Sequence, residues 1–341
     1  MKEREGHCIL KNIALIPVII QLNTIFAQTN SNKFKEKNTM SITKLDQMFE
    51  VLKSKTRKRL VAAYANDAHT IGAVSGAIDK GIVEATLVGD EATIRKVCLE
   101  HNIDANKFKI VQESDEVKAT QKAVELINKG EGDVLMKGLV TSDKYMRAIL
   151  DKEKGLMAGP KSILTHVTVI ETPNYHKLIV VADVAIIPAP DLTQKIAMTN
   201  YLIQTAHALQ IENPKVALLA ATEQMSLGMQ ACIDAAIISK MSDRGQIKGG
   251  IVDGPLALDV CIDKESVEIK KLKSPVAGDA DCILFPNIES GNVFFKTNTK
   301  LCGGELGAVV YGAKVPCVLT SRGDSELTKL YSIALSAMIA K

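Results

Sequence analysis

Val134-Leu135-Met136-Lys137-Gly138-Leu139-Val140-Thr141-Ser142 is the stretch on which the fold turns. Val134 to Met136 read as a short apolar strand, and Lys137-Gly138 interrupts it. Thr141-Ser142 then offers hydroxyls to open a helix that carries Arg147. A strand that hands over to a helix through a polar, glycine-containing turn is the building unit of a helix-covered parallel sheet.

Working outward, the same unit recurs. Upstream, Ile42, Leu45, Phe49 and Leu52 mark one helix face. Leu60 to Ala63, Ala85 to Val88 and Lys109 to Val111 read as strands, and residues 116–129 as a helix stopped by Gly130. Downstream, Ile163 to Ile170 and Leu178 to Ile187 read as strands, either buried on both faces or paired as a hairpin. Pro188-Ala189-Pro190 ends the second, and Asp191 with Gln194 predicts a capping box for a helix reaching about Leu209. Val216 to Ala220, Asp281 to Phe285, Ala308 to Tyr311 and Cys317 to Thr320 read as further strands, with helices over 225–240 and 325–339. No repeat of fixed period is present. The alternation predicts an α/β fold with a largely parallel sheet. Gly155-Leu156-Met157-Ala158-Gly159-Pro160 reads as a hinge between two lobes. Ligands of such sheets bind beyond the carboxyl ends of strands, so chemistry is expected in the loops that follow them.

Length and composition narrow the function. The 341 residues suit two α/β domains of about 150 residues each, or one large one. Hydrophobic residues at 46% and charged residues at 24% exclude a disordered or coiled-coil chain. Lys+Arg 42 against Asp+Glu 39 leaves +3, which predicts local anion pockets and no broad polyanion-binding surface. Aromatics at 4% with no Trp argue against a stacking platform, so no nucleic-acid partner is expected.

Residues 1–39 differ from the rest. A charged start, an apolar run from Ile13 to Ile20 broken by Pro17, and the small Ala27 outline a secretory leader. The other reading makes Met40 the true start. The run is too short and interrupted to span a membrane, and no membrane partner is expected. The cysteines are widely spaced, mostly inside apolar runs, and form no C-x-x-C pair. They read as buried free thiols of a reducing compartment. His69, His101, His166, His176 and His207 are isolated and read as surface or satisfied core histidines, so no metal site is expected. No G-x-S-x-G elbow is present.

Strand-end loops carry the candidate chemistry. Leu319-Thr320-Ser321-Arg322-Gly323-Asp324 follows a strand and precedes a helix, whose free N–H groups attract anions. Arg322 can clamp a phosphate, Ser321 offers a hydroxyl, and Gly323 allows close backbone approach. The plainer reading makes Asp324 or Ser325 a helix cap and Arg322 a solvated charge. Lys137, Thr141 and Arg147 converge on a second helix start, as an anion site or as a solvated entry. The loop from Phe285 to Asn292 combines Pro286, Asn287, Gly291 and Asn292 with Glu289, more than a turn requires. Gly303-Gly304 lets backbone approach a bulky ligand but lacks the dinucleotide spacing. Gly307 to Lys314 only approximates a Walker loop, which excludes nucleoside-triphosphate binding of that type.

Six stretches, in order, carry a resemblance: Met136-Lys137-Gly138-Leu139-Val140-Thr141, Val252-Asp253-Gly254-Pro255-Leu256, Gly278-Asp279-Ala280-Asp281, Pro286-Asn287-Ile288-Glu289-Ser290-Gly291-Asn292, Gly312-Ala313-Lys314-Val315-Pro316 and Leu319-Thr320-Ser321-Arg322. Together they resemble the phosphate acetyl/butyryltransferase family, most closely its butyryl branch, over nearly all of residues 40–341. The resemblance implies a three-layer, two-lobed architecture like the isocitrate/isopropylmalate dehydrogenase fold. Residues 40–160 and 307–341 would form the first lobe and 161–306 an inserted second lobe. It implies reversible transfer of a butanoyl group between coenzyme A and inorganic phosphate, by direct attack in a ternary complex. Coenzyme A would be a substrate, with no permanently bound cofactor, and the enzyme a cytoplasmic homodimer or higher homo-oligomer.

Carried onto this chain, the resemblance gives Arg322 to phosphate and Ser321 to the reacting carbonyl or thiol. Lys137, Thr141 and Arg147 become secondary anion contacts, Asn292 and the Gly303-Gly304 turn line the coenzyme channel, and Asn287 is a further substrate-binding residue. The acetyl branch places an aspartate base seven residues after the serine. Thr328 stands there in this chain, and Asp324 is the nearer carboxylate that can replace it. Phosphate acetyltransferase is the neighbouring alternative, and an exported bilobed binding protein the remote one. A dehydrogenase of the same fold would need a metal-binding carboxylate trio and a nicotinamide loop, and neither stands out.

Overall fold

The computed structural model describes residues 41–321 and 323–341. The leader-like reading of residues 1–39 and the phosphate clamp read at Arg322 therefore lie outside the described residues. Eleven described strands form one sheet in the order β3-β2-β1-β4-β11-β10-β5-β6-β9-β7-β8. They are β1 (Lys58–Ala63), β2 (Val83–Gly89), β3 (Lys109–Gln112), β4 (Val134–Lys137), β5 (Thr165–Glu171), β6 (Ile179–Ala182), β7 (Lys215–Leu219), β8 (Ile251–Leu256), β9 (Cys282–Leu284), β10 (Glu305–Tyr311) and β11 (Cys317–Val318).

The sheet is parallel on each side and reverses three times in the middle. β3, β2, β1, β4 and β11 run together. β10 is antiparallel to β11 and to β5, and β5 is antiparallel to β6. β6, β9, β7 and β8 then run together in the sense opposite to the first set. The chain builds the first side, crosses to build the second, and returns through β10 and β11. The segment read as a hinge, 155–160, is tied to that return: Lys314 N–H donates to Leu156 O at 2.7 Å and Ala158 N–H to Gly312 O at 3.3 Å.

Helices cover both faces, as expected of a three-layer α/β chain. α1 (Gln47–Lys53), α2 (Ala68–Asp79), α3 (Glu91–Glu100), α6 (Leu192–Ala208), α7 (Gln230–Asp243) and α11 (Glu326–Ile339) supply one continuous apolar core. The other face carries two separate cores. α4 (Glu116–Asn128) and α5 (Ser142–Leu150) cover the first side, while α8 (Leu258–Ile262) and α10 (Ile288–Lys300) cover the second. A short α9 (Lys264–Ile269) follows α8. Polar residues at the strand-to-helix turns do what their chemistry dictates: Asp67, Asp90, Asp115, Thr141, Asn287 and Ser325 each accept a first-turn N–H. Asp191 and Gln194 form the predicted capping box.

Two element readings are corrected. The run from Leu178 to Ile187 is a strand only to Ala182, because Asp183 draws in the following N–H groups of Ala185 and Ile186 and turns the chain. The helix read from Met225 begins at Gln230. Residues 221–229 form a loop in which Leu227 is 92% exposed, so the apolar spacing there has no core to face. Ile163 to Ile170 and Leu178 onward do pair as a hairpin, one of the two alternatives read from sequence.

α6 and α7 are joined by an enclosed ion pair. Lys195 Nζ lies 2.6 Å from Asp234 Oδ2, and Gln230 donates to Asp234 Oδ1 at 2.8 Å. Removing one member strands the other charge in a low dielectric. Asp234→Ala is expected to lower unfolding free energy by about 3–5 kcal/mol in urea titrations, and Lys195→Met with Asp234→Leu to recover most of it. A single variant within about 1 kcal/mol of wild type would show that the pair is solvated.

Candidate active site

β5 decides where the polar chemistry sits. Its side chains alternate: Val167 and Val169 join the continuous core, while His166, Thr168 and Ile170 point to the other face. On that face Val310 belongs to one apolar cluster and Ala308 to the other, both opposite this part of β5. His166 and Thr168 thus fall at the seam between the two clusters, where polar side chains replace the apolar packing.

Asp183, at the end of β6, anchors the seam. Its buried carboxylate accepts from Thr165 Oγ1 at 2.7 Å, His166 N–H at 3.0 Å, Ala185 N–H at 2.7 Å and Ile186 N–H at 2.8 Å. α10 presses on this turn. Asn292 Nδ2 donates to Val184 O at 3.0 Å, and a Cβ on Gly291 would lie 2.1 Å from Asp183 O, so only glycine fits there. Asn287 caps α10 through Ser290 N–H at 3.0 Å, which makes it the support of the helix that presents Asn292.

The Ser321 loop meets this seam from the first side. Between the two alternatives for the cap of α11, Ser325 takes the role, accepting from Thr328 N–H at 3.0 Å. Asp324 instead closes the loop, with Oδ2 accepting from Ser321 N–H at 2.7 Å. Lys329, one turn into α11, donates to Ser321 O at 3.2 Å and Asp324 O at 2.8 Å. Burial pushes the Lys329 ammonium pKa down, opposed by Asp324 and Asp67. Asp67 itself keeps one oxygen, Oδ2, sealed from solvent and without a hydrogen bond among the described residues. Ser321 and Gly323 remain exposed.

His166 joins the two sides. Its Nε2 lies 3.2 Å from the Leu319 carbonyl, and Nδ1 lies 3.3 Å from Thr168 Oγ1. A carbonyl can only accept, so Nε2 carries the proton and Nδ1 accepts from the threonine hydroxyl. Burial lowers the His166 pKa, opposed by Asp183, the Leu319 carbonyl and Asp324.

The remaining candidates divide. β4 lies beside β11, so Lys137 and Gly138 neighbour the Ser321 loop. Lys137 is buried, with Nζ donating to Gly138 O at 3.2 Å, and a Cβ on Gly138 would lie 2.5 Å from Tyr64 O. Thr141 caps α5, and its N–H donates to Glu116 Oε1 at 2.9 Å. Arg147 is exposed, pairs with Asp143 at 2.9 Å, and lines a groove of about 1160 Å³ between α4 and α5, where Lys118, Lys122, Lys144, Lys154 and Lys314 stand among Glu113, Glu125, Asp151 and Glu153. Gly303 and Gly304 precede β10, whose Glu305 pairs with Glu171, about 17 Å along β5 from His166. The structure does not bring them to the Ser321 loop.

Asp183 and Lys329 were not singled out from sequence, and His166 was read only as a surface or satisfied core histidine. The alternation of polar and apolar residues in His166-Val167-Thr168-Val169 was the available signal, masked by the apolar run around it. Burial raises the Cys98 and Cys282 thiol pKa values and pushes those of Cys261 and Cys317 up to about 12, which leaves these four as inert thiols. Among the described residues no group of three His, Cys, Asp or Glu side chains converges to hold a metal ion, and no helix is long and apolar enough to cross a membrane.

Comparison with known proteins identifies relatives over most of the chain. A family model described as "Phosphate acetyl/butaryl transferase" matches residues 43–122 and 114–337. The chain is 44% identical over 299 residues to a phosphate butyryltransferase of Clostridium acetobutylicum, covering 88% of this chain and 99% of that one. It is 39% identical over 296 residues to a phosphate acetyltransferase of Thermotoga maritima, covering 87% and 99%. Among solved structures it is similar to a branched-chain phosphotransacylase from Enterococcus faecalis V583, with a TM-score of 0.72 at 28% identity over 83% of this chain and 99% of that one.

The lowered His166 pKa has a consequence for stability. Below the ordinary value of 6.5 the unfolded chain binds a proton that the folded chain resists. This contribution to stability is whole above that pH and is lost as pH falls through the folded pKa. The urea midpoint is expected to drop between about pH 7 and pH 5, and His166→Gln to flatten that drop. Equal slopes in the two proteins would show that His166 does not titrate in this range.

Proposed function

Because the chain belongs to the phosphate acetyl/butyryltransferase family, an acyltransferase family, we propose that it transfers a short acyl group, butanoyl foremost, between coenzyme A and inorganic phosphate. The reaction is butanoyl-CoA + phosphate ⇌ butanoyl phosphate + CoA. The observation that carries this reading is the 44% identity, over 88% of the chain, to a protein named phosphate butyryltransferase. The exposed Ser321, held at a helix start by Asp324 and Lys329, supports it.

In this mechanism a phosphate oxygen attacks the thioester carbonyl carbon. The tetrahedral intermediate collapses with cleavage of the C–S bond, and the coenzyme thiolate leaves. In reverse the thiolate attacks the acyl phosphate and the C–O bond to phosphate breaks. Ser321 Oγ donates to the oxygen on which charge develops, and the first N–H groups of α11 add positive potential. Arg322 is assigned to phosphate, for which a guanidinium is suited as a bidentate donor. Arg147 and the lysines of its groove take the anionic end of the coenzyme, and Lys137 and Thr141 shape the turn between the groove and the Ser321 loop. Holding both substrates together supplies much of the rate. One Asp324 oxygen is engaged by Ser321 N–H, and the other takes the thiol proton.

Within this reading residues 40–160 and 307–341 form one lobe and 161–306 the other. The enzyme works in the cytoplasm as a homodimer or higher homo-oligomer, with no permanently bound cofactor. Free buried thiols suit that compartment.

The decisive assay is phosphate-dependent release of free thiol from acyl-CoAs of two to six carbons. Release is expected, with kcat/KM higher for butanoyl-CoA than for acetyl-CoA. An acetyl preference would favour the acetyltransferase reading, and no release with any of them would end the proposal. Each buried methylene is worth about 1–3 kcal/mol, so neighbouring chain lengths should also react. Asp324→Asn keeps an acceptor for Ser321 N–H but cannot take a proton. It is expected to lower kcat by about 100-fold or more with little change in melting temperature. A wild-type rate would leave Asp324 as a loop clamp alone.

A further inference from the structure

The sheet stops holding the Ser321 loop one residue before Leu319, since the β11–β4 pairing ends at Val318↔Met136. The loop then depends on other anchors. Asp324 and Lys329 hold it from its own loop and helix. The third anchor, His166, comes from β5, 153 residues earlier in the chain and two strands away in the sheet. We infer that His166 is a positioning residue. Its Nε2–H fixes the Leu319 carbonyl and so sets where Ser321 Oγ stands, while the Thr168 hydroxyl satisfies Nδ1 and Asp183 holds the strand that carries the ring.

Three observations support this beyond simple core filling. The contact is directional, and only one tautomer makes it: with the proton on Nδ1, two lone pairs would face each other at 3.2 Å. Thr168 Oγ1 stands where it can donate to Nδ1, so the nitrogen that the Leu319 contact leaves unprotonated is not orphaned. Asp183, through His166 N–H and Thr165 Oγ1, ties β5 to the turn that receives Asn292 from α10. A shift of that turn therefore reaches Ser321 through one imidazole. The charged groups facing the ring are Asp183 and Asp324.

The inference rests on the reading that the Ser321 loop carries the chemistry, and the test separates the two. Full-length wild type, His166→Gln, His166→Leu and Thr168→Val are compared by thiol release, thermal melting and amide hydrogen exchange of residues 319–324. Gln keeps an N–H donor at the Nε2 position, and Leu keeps only the bulk. His166→Leu is expected to lose about tenfold or more in kcat with KM for the acyl-CoA little changed, His166→Gln to stay within about threefold of wild type, and Thr168→Val to fall between. The amides of Ser321 and Gly323 are expected to exchange faster in the Leu variant. A folded His166→Leu enzyme with wild-type kcat overturns the inference, as does a Gln variant damaged as much as the Leu variant. Should His166→Leu fail to fold, an unchanged kcat in Thr168→Val overturns it. Should wild type release no thiol, the functional reading falls on its own. The exchange of residues 319–324 then decides the positioning role, and equal exchange in wild type and the folded variant overturns it.

Discussion

Four donors converge on the buried carboxylate of Asp183, and the middle of the molecule depends on that convergence. A carboxylate removed from water is costly unless its lone pairs are filled. Two donors come from the start of β5 and two from the turn after β6, so one group fastens both ends of the hairpin at the seam. Each hydrogen bond to a charged acceptor contributes about 1.5–3 kcal/mol, and four donors left unpaired would cost more than their bonds contribute. No apolar side chain could replace it, since the two backbone N–H groups of Ala185 and Ile186 would be left buried and unpartnered. The close approach of Gly291 to Asp183 O follows from the same constraint: α10 can reach this turn only where it has no side chain.

That anchor explains why one face has a single core and the other has two. On the continuous face, Val167 and Val169 of β5 let apolar packing run from one side of the sheet to the other. On the opposite face, His166 and Thr168 occupy the equivalent places, and the packing breaks into clusters around Tyr145 and Phe285. The strand sets on the two sides run in opposite senses. One carboxyl-end loop from each set, at Leu319 and at Asp183, is linked through His166 at the central reversals.

Much of this was legible in the sequence, for a physical reason that also marks its limit. Local devices report themselves: the Asp191–Gln194 capping box, the glycine after the helix over 116–128, and the Ser325 cap of the last helix need only neighbours in the chain. Residues 183–187 look like more strand because Val184, Ile186 and Ile187 are apolar, and the turn depends on donors brought by Thr165 and His166 from another strand. The opposite senses of the two strand sets leave no local trace, since a β-branched strand reads the same in either direction. Ser325 and Asp324 could not be separated as caps, because both are short polar residues at a helix start. The three-dimensional path of the loop assigns one to the helix and the other to Ser321. His166 was legible as a satisfied core residue, and what it satisfies was not.

The placement of the cations bears on how a nearly neutral enzyme would hold a long anionic substrate. The pairs Cys317↔Leu135 and Val318↔Met136 set β11 and β4 side by side, so the Ser321 loop and the Gly138 turn are neighbours. α5 begins just beyond that turn and carries Arg147 five residues along from Ser142, about 7.5 Å at 1.5 Å per residue. The groove continues past Arg147 to Lys154 and Lys314. In the proposed reading a coenzyme with its thioester at Ser321 lays its phosphates along this groove, on lysines that stand among carboxylates. Binding contributed so far from the reacting carbon accelerates the chemistry only if the loop at the other end is already in place. The three anchors on the Ser321 loop, two from its own helix start and one from across the sheet, are what such an arrangement requires.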